Sequence, residues 1–168
     1  GFETISIVPH GLVDHSDSLG AAGRFGEGDV QWMTAGKGVQ HCEMFPLLKK
    51  DEDNPMEMFQ IWLNLPRKSK MVEPHFKMLW SEQIPVINIK GENAAETEIK
   101  VIAGEIEGKK ALGAAPDSWA NDPYNEVTVL TVKMEPGAIY NLKALQADRV
   151  GEISQTIYYY NGASMTID

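Results

Sequence analysis

His41 and Glu43 stand two residues apart in Val39-Gln40-His41-Cys42-Glu43-Met44, and in an extended strand that spacing points both side chains to one face. An imidazole nitrogen beside a carboxylate oxygen can ligate one metal ion. Such donors suit Fe(II), Mn(II), Ni(II), Cu(II) or Zn(II). Cys42, out of phase with both, is expected to face the other way as a core thiol. The same spacing is also that of an ordinary surface pair, and two donors alone do not hold a mononuclear metal tightly.

Strands must carry these residues, and the chain reads as many short ones. Residues 2–8, rich in β-branched side chains, lead through Pro9-His10-Gly11 into residues 12–15, which predicts a hairpin. Further strands are expected over 30–34, 39–45, 86–89, 97–103, 127–134 and 152–160, with turns at Pro136-Gly137 and Asn161-Gly162. Residues 56–65 alternate Glu57, Phe59, Ile61, Leu63 and Leu65 against Met58, Gln60, Trp62 and Asn64, as in a central strand buried on both sides. Over 66–85 the pattern breaks at Pro66 and Pro74, which predicts a linker or crossover. No segment keeps a 3.6-residue period for more than about two turns, so the fold class is all-β, a sandwich or barrel. Residues 3–11 and 154–162 echo each other, both apolar strands entering a glycine turn.

The run from Gly28 to Met44, Gly-Asp-Val-Gln-Trp-Met-Thr-Ala-Gly-Lys-Gly-Val-Gln-His-Cys-Glu-Met, closely resembles the signature of the pirin family within the cupin superfamily. Gly1-Phe2-Glu3-Thr4, residues 14–20 (Asp-His-Ser-Asp-Ser-Leu-Gly) and Met71-Val72-Glu73-Pro74 extend that similarity to about Pro85. The resemblance implies a bicupin: a jelly-roll barrel over residues 1–80, lacking its first strands, and the start of a second cupin barrel over 81–168. It implies one divalent transition metal, Fe(II) first among the candidates, held by three histidines and a glutamate. Of these, the last histidine and the glutamate fall on His41 and Glu43, and two further histidines are expected upstream of Gly1. The chain therefore reads as truncated at both ends. No histidine follows His75, so the second half is expected to be metal-free, any ligands there having been due at residues 148–152.

Two functions follow from the resemblance. One is an O2-dependent cleavage of a flavonol-like aromatic substrate, similar to quercetin 2,3-dioxygenase, in which the Glu43 carboxylate takes the substrate's hydroxyl proton. The other is a non-enzymatic, metal- or redox-responsive protein that binds a protein partner and co-regulates transcription. Glu3 corresponds to a glutamate of the general cupin motif, expected near the pocket or as an ordinary strand carboxylate. Phe2, Trp32, Met33, Met44 and Met58 are expected to line the cavity or to fill the core. His15 reads as a satisfied or surface histidine, or as a ligand. His10 and His75 receive no role.

Composition limits the alternatives. The 168 residues carry 15 Lys+Arg and 24 Asp+Glu, a net charge of −9, which disfavours a nucleic-acid surface. With 43% hydrophobic and 23% charged residues a globular core can form. Apolar runs fall far short of the about 20 residues that span a bilayer, and no signal-like segment opens the chain, so a cytoplasmic protein, or a nuclear one in a eukaryote, is expected. One cysteine cannot form an internal disulfide.

Overall fold

Residues 3–10 carry apolar side chains on both faces, which suits a strand covered from two sides, and the structure uses them that way. The computed structural model describes residues 1–142 and 153–167. Strand β1 (Glu3–His10) lies between β4 (Val30–Thr34) and β6 (Glu57–Leu63), and β7 (His75–Leu79) completes an antiparallel sheet in the order β6-β1-β4-β7. A second antiparallel sheet, β3-β2-β5, is built from β2 (Leu12–Asp17), β3 (Ala22–Gly26) and β5 (His41–Met44). Later in the chain β8 (Val86–Lys90), β9 (Glu96–Ala103) and β12 (Val129–Met134) form a third, ordered β12-β9-β8. A short pair, β10 (Glu105–Ile106) and β11 (Lys109–Lys110), follows β9. Among the described residues there is no α-helix, only three 3-10 turns.

The period of two in β1 divides the core. Ile5 and Ile7 register with Trp32 and Val30, and this face packs on Leu79, Ile84, Ile102, Ala103, Ala114 and Ala115. Each of the larger aliphatic side chains among them, once buried, contributes about 1.5–3 kcal/mol. Val8, in phase with Thr4 and Ser6, turns instead to Val13 and Phe25 of the second sheet, with Met58 and Met78 beside them. The larger core thus joins residues on both sides of position 80.

Several pairings differ from the sequence expectation. Residues 2–8 and 12–15 do not form a hairpin: at Gly11, φ 86°, the chain leaves the first sheet for the second. A Cβ at Gly11 would lie 2.9 Å from the Pro55 carbonyl oxygen, so the crossing has room only for glycine. β6 is an edge strand, with Trp62 69% exposed. Alternation reports which face of a strand is covered, not whether both of its edges are paired. The expected crossover over 66–85 contains β7, which starts directly after Pro74, where the missing N–H interrupts no ladder. Residues 153–160 form no strand and Asn161-Gly162 lies in a bend, so the echo of the first strand is not repeated in structure. Tyr160 instead packs on Phe59 at 4.5 Å between ring centroids. Glu152 and residues 148–151 lie outside the described residues.

At the end of β1 the fully buried Glu3 carboxylate accepts from Trp32 Nε1 at 2.6 Å and Ser118 Oγ at 2.7 Å, with Thr34 Oγ1 at 3.3 Å. It fastens the first sheet to the loop that carries Ser118. Leaving buried donors without an acceptor is expected to make Glu3→Ala less stable by about 3 kcal/mol in urea unfolding. A loss below about 1 kcal/mol would show that this carboxylate does not hold the two layers together.

Candidate metal centre

Antiparallel pairing sets the side-chain arrangement around His41 and Glu43. β5 registers on β2 with Asp17 opposite His41, Ser16 opposite Cys42, His15 opposite Glu43 and Asp14 opposite Met44. Opposed residues share a face, so His15, Asp17, His41 and Glu43 form one group and Asp14, Ser16, Cys42 and Met44 the other. The register is held from the turn beyond, where Ser18 N–H donates to the Gln40 carbonyl (2.8 Å) and Gln40 N–H to Ser18 Oγ (3.0 Å).

The first group is graded in burial. His15 is 3% exposed, Glu43 half-buried and His41 exposed at the mouth of a cavity of about 380 Å³. Phe2, Thr4, Met33, Val39 and Met71 are among the other lining residues, giving a mainly apolar wall of the size that small ligands occupy. Phe2 is in phase with Thr4, on the side of β1 that faces this space. Glu3 and Trp32 are in phase with Ile5, on the opposite side, where they bind each other in the buried network already described. They therefore do not line this cavity. Met44 belongs to the outward group and is 60% exposed, and Met58 packs in the smaller core. Cys42 is exposed and not a core thiol, because among the described residues no layer covers the outer side of the second sheet there.

His15 has a partner that sequence reasoning missed. Its Nε2 lies 3.1 Å from Asp17 Oδ2, with both side chains fully inaccessible. Burial works to raise the Asp17 pKa, but hydrogen bonding to His15 and from the Leu19 and Ala21 backbone N–H groups outweighs it, and the net shift is downward. An ionised carboxylate only accepts, so His15 Nε2 donates to it; Nδ1 is buried without a partner among the described residues. The ring stacks on His41 (5.5 Å, 24° between planes) and on Phe76 (5.1 Å, 24°). The signal for Asp17 was available: His15-x-Asp17 obeys the same two-residue rule as His41-x-Glu43. His75, at the start of β7, binds Asp117 at 2.9 Å, and His10 ends β1.

The donors can be tested against the divalent metal that the resemblance implies. His41 and Glu43 make no side-chain hydrogen bond among the described residues, so their nitrogen and oxygen lone pairs are free, and they point to the face that carries an orphaned imidazole nitrogen. In donor chemistry they fit such an ion as one arm of its shell. No group of three or more His, Cys, Asp or Glu able to hold a metal is found among the described residues.

Facing antiparallel sheets, with His41 lining a cavity and Glu43 next to it on the same face of β5, make up a cupin-type β fold. Residues 1–63 match the family model described as Pirin. Pirin of Homo sapiens is 37% identical over 139 residues, covering 82% of this chain and 42% of the relative. A Pseudomonas aeruginosa protein that carries a provisional quercetin 2,3-dioxygenase name is 43% identical over 104 residues, 62% of this chain and 35% of the relative. Among solved structures, a protein of Geobacillus kaustophilus superposes with a TM-score of 0.63 at 35% identity, covering 82% of this chain and 48% of its own. A quercetin 2,3-dioxygenase from Acinetobacter baumannii superposes with a TM-score of 0.59 at 39% identity, over 68% of this chain and 38% of its own. The chain thus spans less than half the length of these relatives. No helix among the described residues is long and apolar enough to cross a membrane.

Since the folded Asp17 pKa lies below its unfolded value, its contribution to stability is complete above about pH 4 and is lost as pH falls through the folded value. Asp14, lowered chiefly by its hydrogen bond from Arg24, has the same sign. Asp17→Asn is therefore expected to show a smaller stability loss than wild type between about pH 6 and about pH 3, read from denaturant midpoints. Parallel profiles for the two proteins would remove Asp17 from the acid response.

Proposed function

We propose that this chain supplies part of the metal centre of a pirin-type cupin that acts on a small aromatic, flavonol-like substrate with O2. In this reading residues 1–80 form the N-terminal barrel and 81–168 begin a second, metal-free one. One observation carries it: His41 and Glu43, without side-chain hydrogen bonds among the described residues, share a face of β5, and His41 lines a mainly apolar cavity, in the segment that matches the Pirin family. The names of the Pseudomonas and Acinetobacter relatives support the reaction class.

His41 Nε2 or Nδ1 and a Glu43 carboxylate oxygen would hold the ion, and two histidines ahead of Gly1 would complete the shell. When bound, a divalent metal, Fe(II) in this proposal, supplies open coordination positions and Lewis acidity for a substrate hydroxyl and O2. Phe2, Met33, Val39 and Met71 offer an aromatic ring an apolar bed and reduce its contact with water. In this reading Glu43 would accept the substrate's hydroxyl proton at its carboxylate oxygen. His75 is committed to Asp117 and takes no part.

The test uses the longest natural chain that includes residues 1–168, loaded with Fe(II). His41→Ala and Glu43→Ala are expected to lose metal by elemental analysis and to stop oxygen uptake with quercetin, while His75→Ala keeps both. Equal metal content in all three variants would remove His41 and Glu43 from the site. Metal-dependent capture of a protein partner without oxygen uptake would favour the non-enzymatic reading.

A further inference from the structure

We propose that His15 is a positioning residue that fixes the imidazole plane of His41, with Asp17 fixing His15 in turn. The inference rests on the metal reading above and extends it to two residues that hold no metal themselves. Its basis is the contrast between two neighbouring rings. His41 is exposed and makes no side-chain hydrogen bond among the described residues. Its ring contact is with His15, at 5.5 Å and 24° between planes. His15 is held from several sides. It is buried, bound to Asp17 Oδ2 and stacked on Phe76 at 5.1 Å.

Phe76 is anchored in its turn, since β7 registers it against Met33 of β4. Asp17 cannot swing away, because its other oxygen, Oδ1, accepts from Leu19 N–H at 2.9 Å and Ala21 N–H at 3.1 Å. Constraint therefore passes from the turn after β2 through Asp17 and His15 to His41. A ligand held before the ion arrives has less freedom to lose when it binds, and partners that orient a ligating ring commonly change metal affinity by about 10–100-fold. A stacked ring needs only its flat face for this. The unpartnered Nδ1 of His15 makes direct ligation the competing role, and a ring without nitrogen separates the two.

Co(II) is titrated into wild type, His15→Ala, His15→Phe and Asp17→Asn, followed by visible absorption. His15→Ala should bind about tenfold more weakly. His15→Phe, which keeps the stack, should return to within about twofold of wild type with the same spectrum. Asp17→Asn retains the acceptor for both backbone N–H groups and should weaken Co(II) in the same direction as His15→Ala, which keeps the test open if the alanine variant does not fold. A His15→Phe variant as weak as His15→Ala, with an altered spectrum, would make the imidazole a ligand and overturn positioning. If His41→Ala binds Co(II) as tightly as wild type, the metal reading itself fails. If His41→Ala loses binding and His15→Ala does not, that reading stands and this inference falls.

Discussion

The register of β5 on β2 is the constraint from which the site follows. Side chains alternate along a strand, so a slip by one residue would bring Cys42 and Met44 to the inner face and send His41 and Glu43 outward. Four ladder pairs would resist such a slip weakly in a strand this short. The turn next to them adds the rest: the reciprocal bonds of Ser18 with Gln40, and the Asp17 carboxylate closing over Leu19 and Ala21. Asp17 therefore serves twice, fixing the turn that sets the register and holding His15 on the face that the register creates.

The first sheet supplies the other wall, and β1 can do so because each of its faces has a different neighbour. One presents Phe2, Thr4 and Ser6 toward the cavity and the second sheet, the other Glu3, Ile5 and Ile7 toward the later part of the chain. A carboxylate among apolar residues is costly unless its oxygens are bonded, and Glu3 has Trp32, Thr34 and Ser118 for that purpose. The two glutamates differ accordingly. Glu3 is saturated with donors and acts as a fastener, while Glu43 is half-buried and has no such donors among the described residues.

Much of this was legible in local pattern. The all-β class, strands β4, β8 and β9, and the shared face of His41 and Glu43 follow from spacing and turn residues. Phase alone also separates Phe2 from Glu3, and His15-x-Asp17 is as readable as His41-x-Glu43. What local pattern does not carry is partnership between distant strands. That is why residues 2–15 read as a hairpin although Gly11 takes the chain into a second sheet, and why β6 reads as central although, among the described residues, only one of its edges is paired. β7 was hidden behind Pro74, whose position just outside the ladder is a tertiary fact. The Tyr-rich run before Asn161 has strand composition, but composition cannot supply an edge to pair with. The phase of Cys42 follows from spacing but its exposure does not, because nothing local says that the outer face of β5 is open among the described residues.

Metal binding at the cavity face of β5 is directly measurable through the four histidines of the chain. Mn(II) added in small steps broadens the ring signals of nearby histidines in an NMR spectrum. His41 should broaden first and most, followed by His15 stacked on it, with His10 and His75 affected last. Broadening that begins at His10 or His75, or that touches all four rings equally, would contradict the placement of the metal on this face.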